Sequence, residues 1–333
     1  MESLFEKFKS FKVLIIGDVM IDAYLNGSVS RISPEAPVPI VEIKDRSYRL
    51  GGAANVALNI KALGAEPVLC SVIGNDGKSE LYTKLLEENG LRNDGILMSE
   101  NRKTTVKYRI IGNKSQMLRI DEEIVSELSQ PDEVAFISKI KELIENEGID
   151  IVIFEDYDKG VITPEVISEV VAAAKRRGIS VTVDPKKRNF SRYAGVDLFK
   201  PNFKELCEGI GVSNEAFSLE NIKKIMSDFS KKMNIKKIMT TLSERGIAIY
   251  DADKDSFFSQ PAFLRHISDV SGAGDTVISV ASLCLAAGLP YDSLAVISNL
   301  AGGIVCEYAG VVPINADILQ QHVKKESDIN TIL

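Results

Sequence analysis

Short apolar, β-branched runs alternate with amphipathic stretches through most of this chain. Val13-Leu14-Ile15-Ile16, Ile151-Val152-Ile153-Phe154, Val181-Thr182-Val183 and Ile238-Met239-Thr240-Thr241 each read as a buried strand. Between them, 134–147, 165–177 and 219–232 carry helical periodicity, and 276–287 reads as an apolar helix. This alternation predicts an α/β fold, a parallel sheet covered by helices on both faces. No repeat or low-complexity linker interrupts it, so 1–333 is expected to form one domain.

Two stretches depart from the pattern. Residues 27–50 contain Pro34, Pro37 and Pro39 and then the alternating Ile40-Val41-Glu42-Ile43, and 104–121 alternates again. Period-two alternation predicts antiparallel strands with one solvated face. Segments of about 26–50 and 103–121 are therefore expected to form a small lid sheet. Such a lid would cover a site at the C-terminal ends of the parallel strands, where open α/β sheets bind ligands.

Composition narrows the function classes. A net charge of −7 argues against nucleic acid as a partner, and requires the positive contacts to any anionic substrate to be local. The four cysteines are widely separated with no metal-type spacing, and three lie in apolar runs, as buried free thiols in a reducing compartment would. The charged N-terminus has no signal-peptide core, and no apolar run reaches the roughly 18 residues of a membrane span. These features predict a soluble cytoplasmic protein that does not bind membranes.

The residues with most chemical content are Asp269-Val270-Ser271-Gly272-Ala273-Gly274-Asp275, where a loop turns into the apolar helix. A Gly-rich helix start aims free amides and the positive end of the helix dipole at one point, a cradle for an anion. Asp275 places a proton acceptor beside that cradle, the combination that phosphoryl transfer to a hydroxyl requires. An ordinary helix start with Asp in its first turn has the same sequence. Four more turns are candidates, each with a plainer alternative. Asp18 and Asp22 follow the first strand and suit sugar hydroxyls, or Asp18 caps a loop. Gly51-Gly52-Ala53-Ala54-Asn55 enters a helix, where small residues let the backbone approach a polyol or simply pack a helix closely. Asn202 and Glu205 share a helical face and suit a Mg²⁺ ion held through its waters, or form a capping box. Thr241-Leu242-Ser243-Glu244-Arg245-Gly246 is a hairpin turn or a nucleotide-phosphate turn. Neither histidine has a partner for a catalytic triad or a zinc site, and the common Gly-rich nucleotide loops are missing.

In this order the motifs resemble the ribokinase-like (PfkB) carbohydrate kinases over roughly 11–313. Gly51 to Asn55 resembles that family's first signature and Asp269 to Asp275 its second. The resemblance implies a three-layer sandwich with a mainly parallel sheet and a small β-lid, and use of ATP and Mg²⁺. By position, Asp275 would be the base, and the amides of Gly272, Ala273 and Gly274 the anion hole. Asn202 and Glu205 would orient the metal, while Asp22, Gly51, Gly52 and Asn55 would hold the sugar. Thr241, Ser243 and Gly246 fall in the nucleotide turn, with Ser243 standing where the family has Gly. Asn299, Gly302 and Gly303 would lie near adenine. Ser30 to Ile40 and 107–121 are similar to heptose 7-phosphate kinases, which implies transfer to the anomeric hydroxyl of D-glycero-β-D-manno-heptose 7-phosphate, on the route to ADP-heptose. A kinase for another sugar or sugar phosphate, or a catalytically silent sugar-binding regulator, is the alternative. Lys107, Arg109 and Arg119 on the lid, or Lys186, Lys187 and Arg188, would bind the sugar's phosphate unless they form a solvated basic face. Asp156 and Lys159 match a segment beside the sugar. Many such relatives continue into an adenylyltransferase domain. For this chain that later step is expected of a separate protein, and a homodimer is compatible with the resemblance.

Overall fold

The apolar runs pair as their composition dictates. In the computed structural model, which describes residues 2–213, 218–263 and 266–326, nine strands form the large sheet. Their order is Ser256–Gln260, Ile247–Asp251, Lys237–Thr241, Leu198–Phe199, Ser180–Asp184, Ile151–Glu155, Lys12–Gly17, Glu66–Gly74 and Ile96–Ser99. From Lys237–Thr241 to Ile96–Ser99 all neighbours are parallel. The two strands at the other edge are antiparallel, joined to the rest by the hairpin turn at 242–246.

Alternate side chains of the central strands feed two cores. Val13, Ile15, Ile151 and Ile153 pack with helices Ala53–Ala62, Gly77–Glu88, Ala273–Ala286, Tyr291–Val305 and Ala316–Lys325. Leu14, Ile16, Val152, Phe154, Val181 and Val183 face the helices Gln130–Asn146, Pro164–Arg176, Phe203–Ile210 and Leu219–Met233. A strand buried on both faces has no polar side, which is why these runs are uninterrupted by charge. The expected three-layer sandwich is the observed one. Cys70, Cys207 and Cys284 are buried and, with Cys306, are free thiols.

A second sheet of four strands stands on the first, in the order Pro39–Gly52, Val19–Ile32, Val106–Gly112 and Ser115–Glu122. It begins earlier than the alternation indicated, because Val19–Ile32 runs on almost directly from the end of Lys12–Gly17. It also corrects one expectation, since Val19–Ile32 pairs with Val106–Gly112 in parallel. Each of its two hairpins is antiparallel. The chain leaves the first at Gly52, passes through two helices and two strands of the main body, and re-enters in the same direction. A long crossover of this kind produces a parallel pair. Met1 and 327–333, the ends of the expected single domain, lie outside the described residues.

Candidate active site

The strand order reverses at Lys12–Gly17, whose neighbours are Ile151–Glu155 and Glu66–Gly74. Crevices at such a point lie beyond the strands' C-terminal ends. Here those ends carry charge: Asp18 after the first strand, Glu155 and Asp184 closing theirs, and Lys200 after Leu198–Phe199. Glu155 and Asp184 are register partners, and both are buried, as is Lys200. The Lys200 ammonium lies 2.7 Å from Asp184.

Asp275 enters the same space from the helix Ala273–Ala286. Gly272 is the residue before that helix and has φ 79°, a left-handed conformation that glycine adopts without strain. Two contacts fix the helix against Ala53–Ala62: Thr276 donates from Oγ1 to Asn59 Oδ1 at 3.0 Å, and Asn59 donates from Nδ2 to the Asn55 carbonyl at 2.9 Å. The Asp275 carboxylate is buried and accepts two hydrogen bonds, from Asn55 Nδ2 at 2.6 Å and from the Tyr157 hydroxyl at 2.8 Å. Its pKa is pushed up to about 6, chiefly by burial. Asp184 adds to the rise, while Asn55, Tyr157 and Lys200 oppose it. Glu155 is driven well above its ordinary range by burial and by the neighbouring carboxylates Asp184 and Asp275. Oxygens of Glu155, Asp184 and Asp275 lie within 4.8 Å of one another.

The candidate anion cradle is narrower than the sequence suggests: the Ala273 amide donates to the Val270 carbonyl at 3.3 Å, while among the described residues the Gly272 and Gly274 amides meet no backbone acceptor. A side chain at Gly274 would come within 3.6 Å of Asp184 and 3.7 Å of Lys200. The helix start therefore opens directly onto the charged cluster.

The structure sorts the remaining candidates. Asp18 is a loop anchor, accepting the backbone amides of Tyr157, Lys159 and Val161 at 2.9, 3.1 and 3.0 Å. It thereby fixes the turn that presents Tyr157 to Asp275. Asp156 is buried and accepts from Tyr193 and Asn189 at 2.7 and 3.1 Å, bonds that tie it to the main body. Asp22 is buried and pairs with Arg109. Gly52 has φ 64°, and a side chain there would strike the Asp18 carbonyl at 2.3 Å. Asn202 and Glu205 form a reciprocal capping box, with bonds of 2.8 and 2.9 Å, and Glu205 also pairs with Lys186. The Lys186 ammonium lies over the Tyr157 ring at 5.7 Å. Thr241, Ser243 and Gly246 sit on the hairpin between Lys237–Thr241 and Ile247–Asp251, with Ser243 and Gly246 both at positive φ. Asn299 donates to the Pro261 carbonyl at 2.9 Å, and Gly302 packs so closely that a Cβ would lie 2.8 Å from Val277. Gly303 follows it on the same helix.

The basic candidates are largely committed. Lys107 lies 3.8 Å from Asp121, Arg119 lies 2.9 Å from the same carboxylate, and Lys159 lies 2.8 Å from Glu123. Arg188 donates to the Val125 carbonyl at 2.7 Å. Sequence reasoning overlooked Tyr157, Glu155, Asp184 and Lys200. A charged residue closing an otherwise apolar strand was the available signal for the last three.

Several solved structures share this architecture. The ribokinase of Arabidopsis thaliana, complexed with ribose and ATP, superposes with a TM-score of 0.72 at 18% identity, covering 95% of this chain and 99% of that one. The phosphofructokinase-2 of Escherichia coli, in complex with fructose-6-phosphate, gives 0.74 at 17% identity, covering 93% and 97%. At these identities the likeness is one of fold. The fold is a ribokinase-like sandwich with a carboxylate, Asp275, at the head of a Gly-rich helix start. The chain belongs to the pfkB family of carbohydrate kinases, whose model matches residues 10–317. Its relatives include the bifunctional protein HldE of Campylobacter fetus, 39% identical over 299 residues, which are 90% of this chain and 63% of the relative. The HldE of Desulfatibacillum aliphaticivorans is 38% identical over 319 residues, 96% of this chain and 64% of that protein. The chain thus spans less than two thirds of the length of these two relatives. No helix among the described residues is long and apolar enough to cross a membrane.

Proposed function

We propose that the chain transfers the γ-phosphoryl group of ATP to the anomeric hydroxyl of D-glycero-β-D-manno-heptose 7-phosphate, forming the 1,7-bisphosphate. The observation that carries the kinase reading is the buried Asp275 carboxylate at the start of a helix whose free amides face the same crevice. The heptose reading adds the resemblance of the lid segments to heptose 7-phosphate kinases.

Asp275 accepts the hydroxyl proton as the new P–O bond forms. Its two oxygens accept one hydrogen bond each, from Asn55 and Tyr157, and each keeps a lone pair to which the incoming hydroxyl can donate. Asn55 can also turn toward a sugar hydroxyl, because its buried Oδ1 has no partner. Asp22 and the backbone at Gly51 and Gly52 lie on the same side of the lid and hold the rest of the sugar. The Gly272 and Gly274 amides stabilise the charge that develops on the phosphoryl oxygens. Thr241, Ser243 and Gly246 receive the nucleotide phosphates, with Asn299, Gly302 and Gly303 beside the base.

The residues also fit a magnesium ion. Glu155 and Asp184 each keep a buried oxygen without a hydrogen-bond partner, and Mg²⁺ favours hard oxygen donors and retains several waters. Glu155 and Asp184 would hold such an ion, with Asn202 and Glu205 orienting its waters; when bound it would neutralise phosphate charge. Product identification by NMR after incubation with ATP and heptose 7-phosphate tests the reading. A 1,7-bisphosphate is expected; turnover confined to other acceptors in a parallel sugar panel would overturn the heptose assignment.

A further inference from the structure

The lid turns a polar face toward the crevice. Asp22, Tyr24, Arg49, Lys107, Arg109, Arg119 and Asp121 share that face by the register of the four strands. Arg109 is committed to Asp22, and Arg119 and Lys107 to Asp121. Arg49 is different. It is exposed, and among the described residues it meets no carboxylate within ion-pair distance. Its guanidinium lies 5.2 Å from the Tyr24 ring centroid, and that of Arg109 lies 5.3 Å from the same centroid. From the lid it reaches across to the main body, where Nη1 approaches the Val311 carbonyl at 3.4 Å. The Gly310–Val311 turn it meets is fixed by Asp269, which accepts the Gly310 and Ser271 amides at 3.0 and 2.9 Å.

A cavity of about 320 Å³ lies at this junction; Arg49, Asn55 and Asn89 are polar groups on a wall otherwise formed largely by apolar residues such as Leu50, Leu58 and Val312. Asn55 is both a wall of this cavity and the donor to Asp275, and its unpartnered Oδ1 is buried. Asn55 and Arg49 both line this space, so it joins the residue that donates to the base with a guanidinium that has no carboxylate partner among the described residues. That arrangement suits a small polyol that carries an anionic group apart from its reacting hydroxyl.

We propose that Arg49 is the residue that recognises the acceptor's distal phosphate monoester, with the Tyr24 ring holding its guanidinium in place. The assignment rests on the sugar-phosphate kinase reading above. Arg49 can grip two phosphate oxygens at once, and needs to give up no existing ion pair to do so. Arg109 and Arg119 would each have to abandon a carboxylate.

The test compares a phosphorylated acceptor with its dephosphorylated counterpart in the unmodified protein and in Arg49→Ala, Arg49→Lys and Arg49→Gln. Loss of a charge-assisted contact should raise KM for the phosphorylated acceptor by roughly 10- to 100-fold. KM for the free sugar and for ATP should stay within a few-fold, so the preference for the phosphorylated acceptor collapses. Arg49→Lys should fall between, since it keeps the charge and loses the fork. A raised KM for ATP instead would assign the guanidinium to nucleotide phosphates and overturn the proposal. A preference that survives Arg49→Ala would overturn it while leaving the sugar-phosphate reading intact. Absence of any preference in the unmodified protein would remove that reading itself.

Discussion

Replacing Asp275 by asparagine should make the protein a poorer catalyst and a more stable fold, and the two effects have one cause. The carboxylate is buried, with its pKa pushed from an ordinary 3.8 to about 6. At about 1.4 kcal/mol per pH unit, a charged Asp275 costs the native state about 3 kcal/mol. The sign follows from the direction of the rise: the folded protein binds this proton more tightly than the unfolded chain does. The wild type therefore loses stability as pH rises from about 4 to about 6 and carries the full cost above that. Asp275→Asn removes the charge at every pH. The new amide can keep the Tyr157 bond on its oxygen while Asn55 turns its unpartnered Oδ1 inward, but the Asn55 NH2 then occupies the buried position that offered Oδ1 no partner, which offsets part of the gain. Thermal and urea unfolding in magnesium-free buffer should show the variant more stable by up to about 3 kcal/mol at pH 8, with the gap shrinking toward zero near pH 4. Turnover followed by ADP release should fall by roughly 10²- to 10⁴-fold, with ATP affinity within a few-fold. A variant with near-normal turnover would remove Asp275 as base. A stability gap independent of pH would refute the buried-charge argument even if activity were lost.

Three further perturbations probe the surroundings of the base. Tyr157→Phe deletes a donor that holds the Asp275 pKa down, so the acid limb of the kcat/KM profile should move up by about half to one pH unit; an unmoved limb would show that the hydroxyl does not tune the base. Glu205→Gln should raise the magnesium concentration needed for half-maximal activity with little change in acceptor KM, since glutamine can still serve the capping box; an identical titration would leave Asn202 and Glu205 as a helix cap alone. Gly52→Ala forces a side chain onto φ 64° and against the Asp18 carbonyl. It should cost at least about 1–2 kcal/mol in denaturant unfolding and weaken acceptor binding, and wild-type stability would count against the close approach.

Much of this architecture follows from local pattern. The four apolar runs became central strands because a strand buried on both faces tolerates no unpaired charge, and the helices 134–147, 165–177 and 219–232 appeared within a few residues of their expected bounds. The Gly-rich helix start at 272–275 was equally legible, since a left-handed residue before an apolar helix calls for glycine. Relationships between distant segments were not legible. Alternation in 27–50 and 104–121 indicates strands with a solvated face but does not fix how the two hairpins meet, and the long crossover between them made their shared edge parallel. The roles of the carboxylates depended on distance in space. Asp18 and Asp156 have the same chemistry as Asp275, yet three backbone amides make Asp18 an anchor, and Tyr193 and Asn189 tie Asp156 to the main body. Asp275 lies 118 residues from Tyr157 and 220 from Asn55. Its protonation, and the ion pairs that engage Lys107, Arg109 and Arg119 but not Arg49, are set by which charges and donors the fold brings within a few ångströms. Local residue pattern settles which segments are buried and where a helix can begin. Electrostatic interaction falls off with distance through space, whatever the separation along the chain, so only the tertiary structure could decide which of its charged residues act together.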